Sequence, residues 1–466
     1  MDIISPVFAL FVFLVLVGNF LLPQTLRKPW LLLASYVFLG SWSLSAAALL
    51  AGLTVVHFWW GRKLVRSAHP ARWLWAGLLL DGGAFWLLKL FTSPMLRTLA
   101  DKAGWDSALT WMMPIGFSFY ILQLAGYLWD LRAGRLATLP GLLDFSLYLA
   151  YFPKLLAGPV ERGRDFLARL QPLPRPGWLA IGEGLQWLLL GLLRKVAIAD
   201  TLLWLFPENL FFAPAQFSLV ERVGWLMVFA FRLYNDFAGY TDMMRGLSLL
   251  IGLPLGENFR QPFAARTLSD FWNRWHISLS AWLRDFIFYP FSRSLARRSG
   301  WAGWPRLVLP PLVTMTLSGF WHGASLAMLA WGGLHGLLLV LEQVGQRWAG
   351  RVPRWVGWVL FSPSLLRTQV LVLLLWVPFA AGDLGWGLRF WRALLPPYPD
   401  LLPGPGWLWP LLLMVVSLML DWMMAKQVFL RWPRPVQVLV IGLALVLVTL
   451  SLGGGVDVSG FVYQGF

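Results

Sequence analysis

The chain has 466 residues, 58% hydrophobic and only 13% charged, with 31 Trp and 33 Phe; a soluble domain carries about 25% charged residues and could not hide so much apolar surface, so the composition predicts a polytopic membrane protein. The formal net charge of +16 would suggest nucleic acid for a soluble protein, but the basic residues fall in short clusters between apolar runs (Arg27-Lys28, Arg62-Lys63-Arg66, Arg297-Arg298, Arg351-Arg354), the pattern of cytoplasmic loops on anionic headgroups. There is no cysteine, which excludes disulfides, thiolate metal sites and a cysteine acyl carrier.

A spanning helix needs about 20 mostly apolar residues. The first, Ile4–Leu22, has no basic segment before it and no A-x-A site after it, so it reads as a membrane helix and not as a signal peptide. Trp30–Ser41, Leu44–Trp60, Trp73–Phe91, Leu109–Trp129, Leu142–Val160, Trp178–Ala199 and Val220–Phe237 follow, then Leu307–Phe320, Ser325–Leu341, Val370–Ala381, Trp407–Met424 and Val436–Leu452. They predict an all-α fold of about 10–13 membrane-embedded helices, with some segments interfacial or re-entrant. No repeat or low-complexity linker interrupts residues 1–466, so a single domain is expected.

Loop charge sets the orientation. With the N-terminus extracytoplasmic, Arg27-Lys28, the Gly61–Arg72 loop and Asp130–Arg135 lie inside, and the uncharged Ser41–Ser45 turn and the mixed-charge Thr92–Ser107 loop lie outside. That alternation obeys the positive-inside rule. Residues 254–300 are too polar for hydrocarbon, yet Trp272, Trp275, His276, Leu279, Trp282, Leu283 and Phe286 recur at helical spacing. They predict an amphipathic helix with His276 on its aromatic face, capped by Thr267 or Ser269, lying in the interface or dipping into a protein-lined cavity.

Five histidines are present. His69 precedes Pro70 in a basic loop, and His57 stands beside Trp59 and Trp60 as an interfacial residue. His322, within "GFWHGAS", is flanked by small residues that admit a ligand or a second backbone. It is either a catalytic group or a buried histidine bonded between helices. On a continuous helix the 13 positions from His322 to His335 advance about 20 Å and end on another face, so the two would not share a reacting atom unless the helix breaks near Gly332-Gly333. His276 carries no such restriction. Asp236 and Asp242, in "LYNDFAGYTDMM", are expected near a helix end. There they line a polar funnel or orient a histidine, or they pack against Arg232, Arg245 or Arg274; packing is the simpler reading. There is no H-E-x-x-H, P-loop or G-x-S-x-G, and no metal is expected.

Four stretches, in order along the chain, carry a resemblance: "MPIGFSFYILQLAGYLWDLRAG" (Met113–Gly134), "YFPKLLAGPVER" (Tyr151–Arg162), the long run Tyr234–Pro290 around "DFWNRWHISLSAWLRDFIFYP", and "LSGFWHGASLAMLAWGGLHG" (Leu317–Gly336). Together they resemble the membrane-bound O-acyltransferase family, best over 113–341, and within it the branch that acetylates alginate. Ala238 stands where serine is frequent in that branch and Asn273 where arginine is.

The resemblance implies a ring of helices around a funnel that reaches the membrane midplane. It makes His322 the catalytic histidine and His276 the second functional one. Neutral His322 is expected to act as general base in acetyl transfer from a cytoplasmic thioester, acetyl-CoA, to a hydroxyl, with no bound cofactor. Trp272, Trp275, Trp282 and Trp321 are expected to line the cavity, with Asn235, Asp236 and His335 as further substrate contacts. The implied partners are an extracytoplasmic SGNH-type transferase, a polysaccharide acceptor and membrane lipid, in the bacterial inner membrane. D-alanyl transfer to teichoic acid ranks lower. A transporter or flippase using His322, Asp236 and Arg284 is the alternative.

Overall fold

The computed structural model describes residues 1–91, 114–136, 138–298, 303–348, 363–396 and 405–425. The Thr92–Ser107 loop, the start of the Leu109–Trp129 segment, the Arg351–Arg354 cluster and the Val436–Leu452 segment lie outside the described residues. No strand occurs among the described residues. Leu44–Arg66, Pro70–Phe91, Leu326–Arg347 and Leu408–Ala425 are long and apolar enough to cross a membrane, and Pro6–Leu21 and Leu365–Ala381 are shorter apolar helices. Several of the sequence segments therefore run as helices that are broken, short or interrupted by charge. The chain is an integral, all-α polytopic membrane protein.

Two compact units divide the chain. One comprises Met1–Leu192 and Gly239–Glu257; the other comprises Leu193–Ala238 and the described residues from Asn258 onward.

The first unit opens with α1 (Pro6–Leu21), α2 (Gln24–Trp42), α3 (Leu44–Arg66) and α4 (Pro70–Phe91). Local chemistry sets their starts. Ser5 accepts a hydrogen bond from the Phe8 N–H ahead of Pro6, and Ser43 accepts one from Ala46, each satisfying a donor that the first helical turn leaves bare. Then come α5 (Phe117–Arg132), α6 (Leu142–Ala150), α7 (Phe152–Leu155), α8 (Gly163–Arg169) and α9 (Trp178–Leu192). The Leu142–Val160 segment is thus split at Tyr151, with Pro153 in the first turn of α7, where its missing N–H costs nothing.

Two charges of this unit differ from the sequence expectation. Arg27 is 1% exposed: its guanidinium donates to Asn19 Oδ1 and to the carbonyls of Leu173, Pro174 and Ile251. It ties helix ends together and does not sit among headgroups. His57 is buried, with Nε2 2.9 Å from Asp81 Oδ1 and Nδ1 2.9 Å from the Leu53 carbonyl. A polar group inside an apolar helix is held by a partner or not at all; Asp81 in "LLLDGGAF" was the signal for this pair. Lys28 pairs with Asp144 at 2.7 Å.

In the second unit a wide helical turn, Leu193–Asp200, leads into α10 (Thr201–Leu205). The long α11 (Leu219–Ile251) follows; its residues to Ala238 belong to this unit. Next are α12 (Leu268–Trp272), α13 (Ile277–Leu283), α14 (Tyr289–Ala296), α15 (Trp304–His322), α16 (Leu326–Trp348), α17 (Leu365–Ala381), α18 (Leu384–Ala393) and α19 (Leu408–Ala425).

Thr267 caps α12, its hydroxyl accepting from the Asp270 N–H at 3.0 Å. Thr267→Ala is expected to lower stability by about 1 kcal/mol, read as a small fall in the melting temperature of the purified protein.

The single amphipathic helix expected over 267–286 is in fact two. The chain leaves helical geometry after Trp272, and His276 takes a left-handed conformation (φ 43°). Residues 258–260 stabilise this break. The Asn258 carbonyl accepts from Ile277 N–H, Asn258 Oδ1 accepts from Ser278 Oγ, and Arg260 N–H donates to the Arg274 carbonyl. Periodicity cannot register partners so distant in sequence.

Helices α15 and α16 form a hairpin of unusually close backbones. A methyl group on Gly319 would collide with the Met328 carbonyl, and one on Gly332 with the Met315 carbonyl. Small residues permit this approach, and it places His322, at the end of α15, beside the first turns of α16.

Candidate active site

His276, His322 and His335 all lie in the second unit, in or beside one continuous set of aromatic rings. His322 is the last residue of α15; the chain leaves the helix at Gly323, which is fully extended. Its imidazole is buried among Trp321, Trp331 and Phe379, with ring centroids 4.8, 5.2 and 5.6 Å away. His276 meets the edge of Phe237 of α11 at 4.8 Å and lies 6.5 Å from the Trp321 ring. The two histidines therefore border one indole, that of Trp321, from different elements.

The separation of His335 from His322 expected from the sequence assumes a continuous helix. The chain instead turns between Gly323 and Ser325, so the two occupy the two arms of a hairpin. Trp331, one turn before His335 on α16, packs on both rings, 5.2 Å from His322 and 4.9 Å from His335. His335 Nδ1 lies 3.0 Å from the Trp331 carbonyl. A carbonyl only accepts, so Nδ1 carries the proton and Nε2 is the acceptor nitrogen of the neutral ring.

Trp272 packs on His335 (5.2 Å) and Trp331 (5.8 Å). Trp275 stacks with Phe271 and contacts Trp376 at 5.0 Å. Trp282 packs on Phe286, four residues further along the chain. Trp331, Trp376 and Phe379 were not among the expected site residues. Trp331 was signalled by its four-residue spacing from His335. Trp376 and Phe379 join only because α17 packs on α16.

Asp236 and Asp242 are placed differently from the expectation of a helix end: both stand inside α11, as does Asn235. Asn235 Nδ2 donates to Ser417 Oγ at 2.9 Å. Asp236 accepts from Lys195 Nζ at 2.7 Å, and Asp200 accepts from the same ammonium at 2.8 Å. Lys195 is a partner that the sequence reading did not name, while Arg232, one of those it did name, interacts electrostatically with Asp236 as well. Beside this cluster Asp421 Oδ1 accepts from Arg194 Nη2 at 2.6 Å and from the Tyr234 hydroxyl at 2.7 Å. Lys195 is 0% exposed. Lys195→Met removes the ammonium that two buried carboxylates share and is expected to cost about 3–5 kcal/mol, measured as a large fall in melting temperature. An unchanged transition would remove the cluster from the stability account. No group of three or more potential metal-ligating side chains occurs among the described residues.

The model of the membrane-bound O-acyltransferase family matches residues 131–354, which contain all three site histidines. The "Probable alginate O-acetylase AlgI" of Pseudomonas fluorescens is 34% identical over 382 residues, 80% of this chain and 70% of that protein. The chain belongs to the membrane-bound O-acyltransferase family. The Pseudomonas aeruginosa protein of the same description is 35% identical over 405 residues, 83% of this chain and 73% of the relative. The "Peptidoglycan O-acetyltransferase" of Helicobacter pylori is 27% identical over 419 residues, 81% and 76% of the two chains.

As a membrane-bound O-acyltransferase the chain is an enzyme, and the transporter reading gives way to acyl transfer. Acyl transfer to a hydroxyl needs a base that can take the hydroxyl proton and return it to the leaving group. An imidazole does both. An imidazole buried among apolar rings is shielded from competing water.

Proposed function

We propose that this acyltransferase moves an acetyl group from acetyl-CoA, reached from the cytoplasm, to a hydroxyl of an extracytoplasmic polysaccharide or of an SGNH-type partner that passes it on. The chain spans the bacterial inner membrane with its N-terminus outside. The observation that carries this reading is the setting of His322, an imidazole at a helix end inside an aromatic box formed by Trp321, Trp331 and Phe379.

His322 takes the proton of the acceptor hydroxyl as that oxygen bonds to the thioester carbonyl carbon. The tetrahedral adduct collapses, the C–S bond breaks, and the imidazolium returns the proton to the departing thiolate. The carbonyl end of α15 favours the positive charge that develops on the ring in between. His276, across Trp321, orients the thioester carbonyl or the acceptor. The acceptors named for the relatives, alginate and peptidoglycan, support a glycan hydroxyl as the final destination.

The test uses purified full-length protein, labelled acetyl-CoA and membranes carrying the glycan. Thioester consumption and product formation are compared for wild type, His322→Ala and His276→Ala. Full activity in both variants would falsify the assignment. Intact substrate moved without thioester cleavage would restore the transporter.

A further inference from the structure

Three rings of the second unit meet one another: Trp272, Trp331 and His335, with centroids 5.2, 5.8 and 4.9 Å apart. His335 is 0% and Trp331 1% exposed. The proton of His335 is committed through Nδ1 to the Trp331 carbonyl, so Nε2 offers a lone pair. Among the described residues nothing donates to that nitrogen, and nothing accepts from the buried Nε1–H of Trp272 or of Trp331. The cluster therefore holds one acceptor and two donors, all buried and all unsatisfied by the described residues. Leaving a buried polar group unmet is costly, and native proteins rarely keep one without a use.

The complement of one acceptor and two donors is a single hydroxyl oxygen, which donates one hydrogen bond and accepts two. We propose that Trp272, Trp331 and His335 form a subsite for one hydroxyl oxygen: the O–H donates to His335 Nε2 and the oxygen accepts from the two indole N–H groups. Trp331 also packs on His322, so an oxygen held here stands next to the general base. Its source is either a hydroxyl of the acceptor or an ordered water that completes the wall of the acceptor site. In both cases His335 is a positioning residue. This inference rests on the acyl-transfer reading for its link to His322, but the subsite itself stands on the three rings.

The first arm of the test is an experimental density map of the full-length protein in lipid, at a resolution that shows ordered water, with and without an alginate oligosaccharide. An oxygen within hydrogen-bond distance of His335 Nε2 and both indole nitrogens is expected. Present without sugar, it is water; present only with sugar, it is a substrate hydroxyl. Absence of such an oxygen from both maps overturns the proposal.

The second arm is kinetic, with labelled acetyl-CoA and the same oligosaccharide in membranes. His335→Asn keeps a donor near Nδ1 and removes the Nε2 acceptor; His335→Gln keeps an acceptor near Nε2. The Asn variant is expected to lose at least tenfold in kcat/KM for the acceptor with the KM for acetyl-CoA unchanged, and the Gln variant to recover part of that loss. Equal loss on both substrates, or wild-type kinetics in the Asn variant, overturns the positioning role. If wild type transfers no acetyl group at all, the acyl donor or acceptor assignment has failed, while the density maps still decide the subsite.

Discussion

His322→Ala is expected to lower acetyl transfer by about 10²–10⁴-fold, the range that loss of a general acid–base group produces. Alanine also removes a ring packed against Trp321, Trp331 and Phe379, so a fall in activity could reflect a collapsed cavity. His322→Gln separates the two effects. Glutamine fills most of the space and keeps hydrogen-bonding capacity, but it cannot carry the hydroxyl proton. Both variants should be equally inactive, with the Gln protein melting close to wild type. If Gln restores transfer to within threefold of wild type, His322 is a packing residue and the base lies elsewhere. Labelled thioester turnover and a melting curve on the same preparations supply both readouts.

The second large effect is expected at the α15–α16 hairpin. Gly332→Ala places a methyl group against the Met315 carbonyl and within 3.0 Å of Gly319. Both obstacles are backbone, which cannot rotate aside, so the helices must separate. Overpacking typically costs about 1–3 kcal/mol, and this site should reach the upper end or exceed it. The neighbouring Gly333→Ala is the internal comparison. Its added methyl meets only Thr316 Oγ1, at an ordinary 3.8 Å, and alanine is favoured over glycine within a helix by about 1 kcal/mol. Gly332→Ala should therefore melt well below wild type and lose acetyl transfer, because His322 and His335 sit on the two arms that move apart. Gly333→Ala should melt at or above wild type. Equal melting temperatures for the two variants would remove the close backbone contact from the account.

The class of the fold was legible from composition and hydropathy. Where the structure describes them, the expected segments from Ile4–Leu22 to Trp407–Met424 fall largely on helix, because a long apolar run leaves the backbone no other way to satisfy its polar groups in lipid. Helix interruptions were less legible. The breaks at Tyr151 and at Asn273–His276, and the continuation of α11 through Asp236 to Ile251, depend on partners far away in sequence. Asp236 looked like a helix terminus because a carboxylate is costly in an apolar helix; Lys195, 41 positions earlier, removes that cost. His57 reads as interfacial from its place beside Trp59 and Trp60, and only the structure shows its partner, Asp81.

What the sequence by itself determined is a membrane-embedded all-α enzyme of the acyltransferase family; it singled out, as candidates, the two histidines at the centre of its matching stretches. Apolar length and ordered motifs are local properties, so they survive without coordinates. What only the tertiary structure decided is which rings meet. His276 and His322 border Trp321, His322 and His335 share Trp331, and Trp272 closes the cluster around His335. Those contacts arise from a hairpin turn at Gly323, a left-handed residue at His276 and two helices brought together over glycine. Each is a matter of three-dimensional closure that no periodicity along one segment encodes.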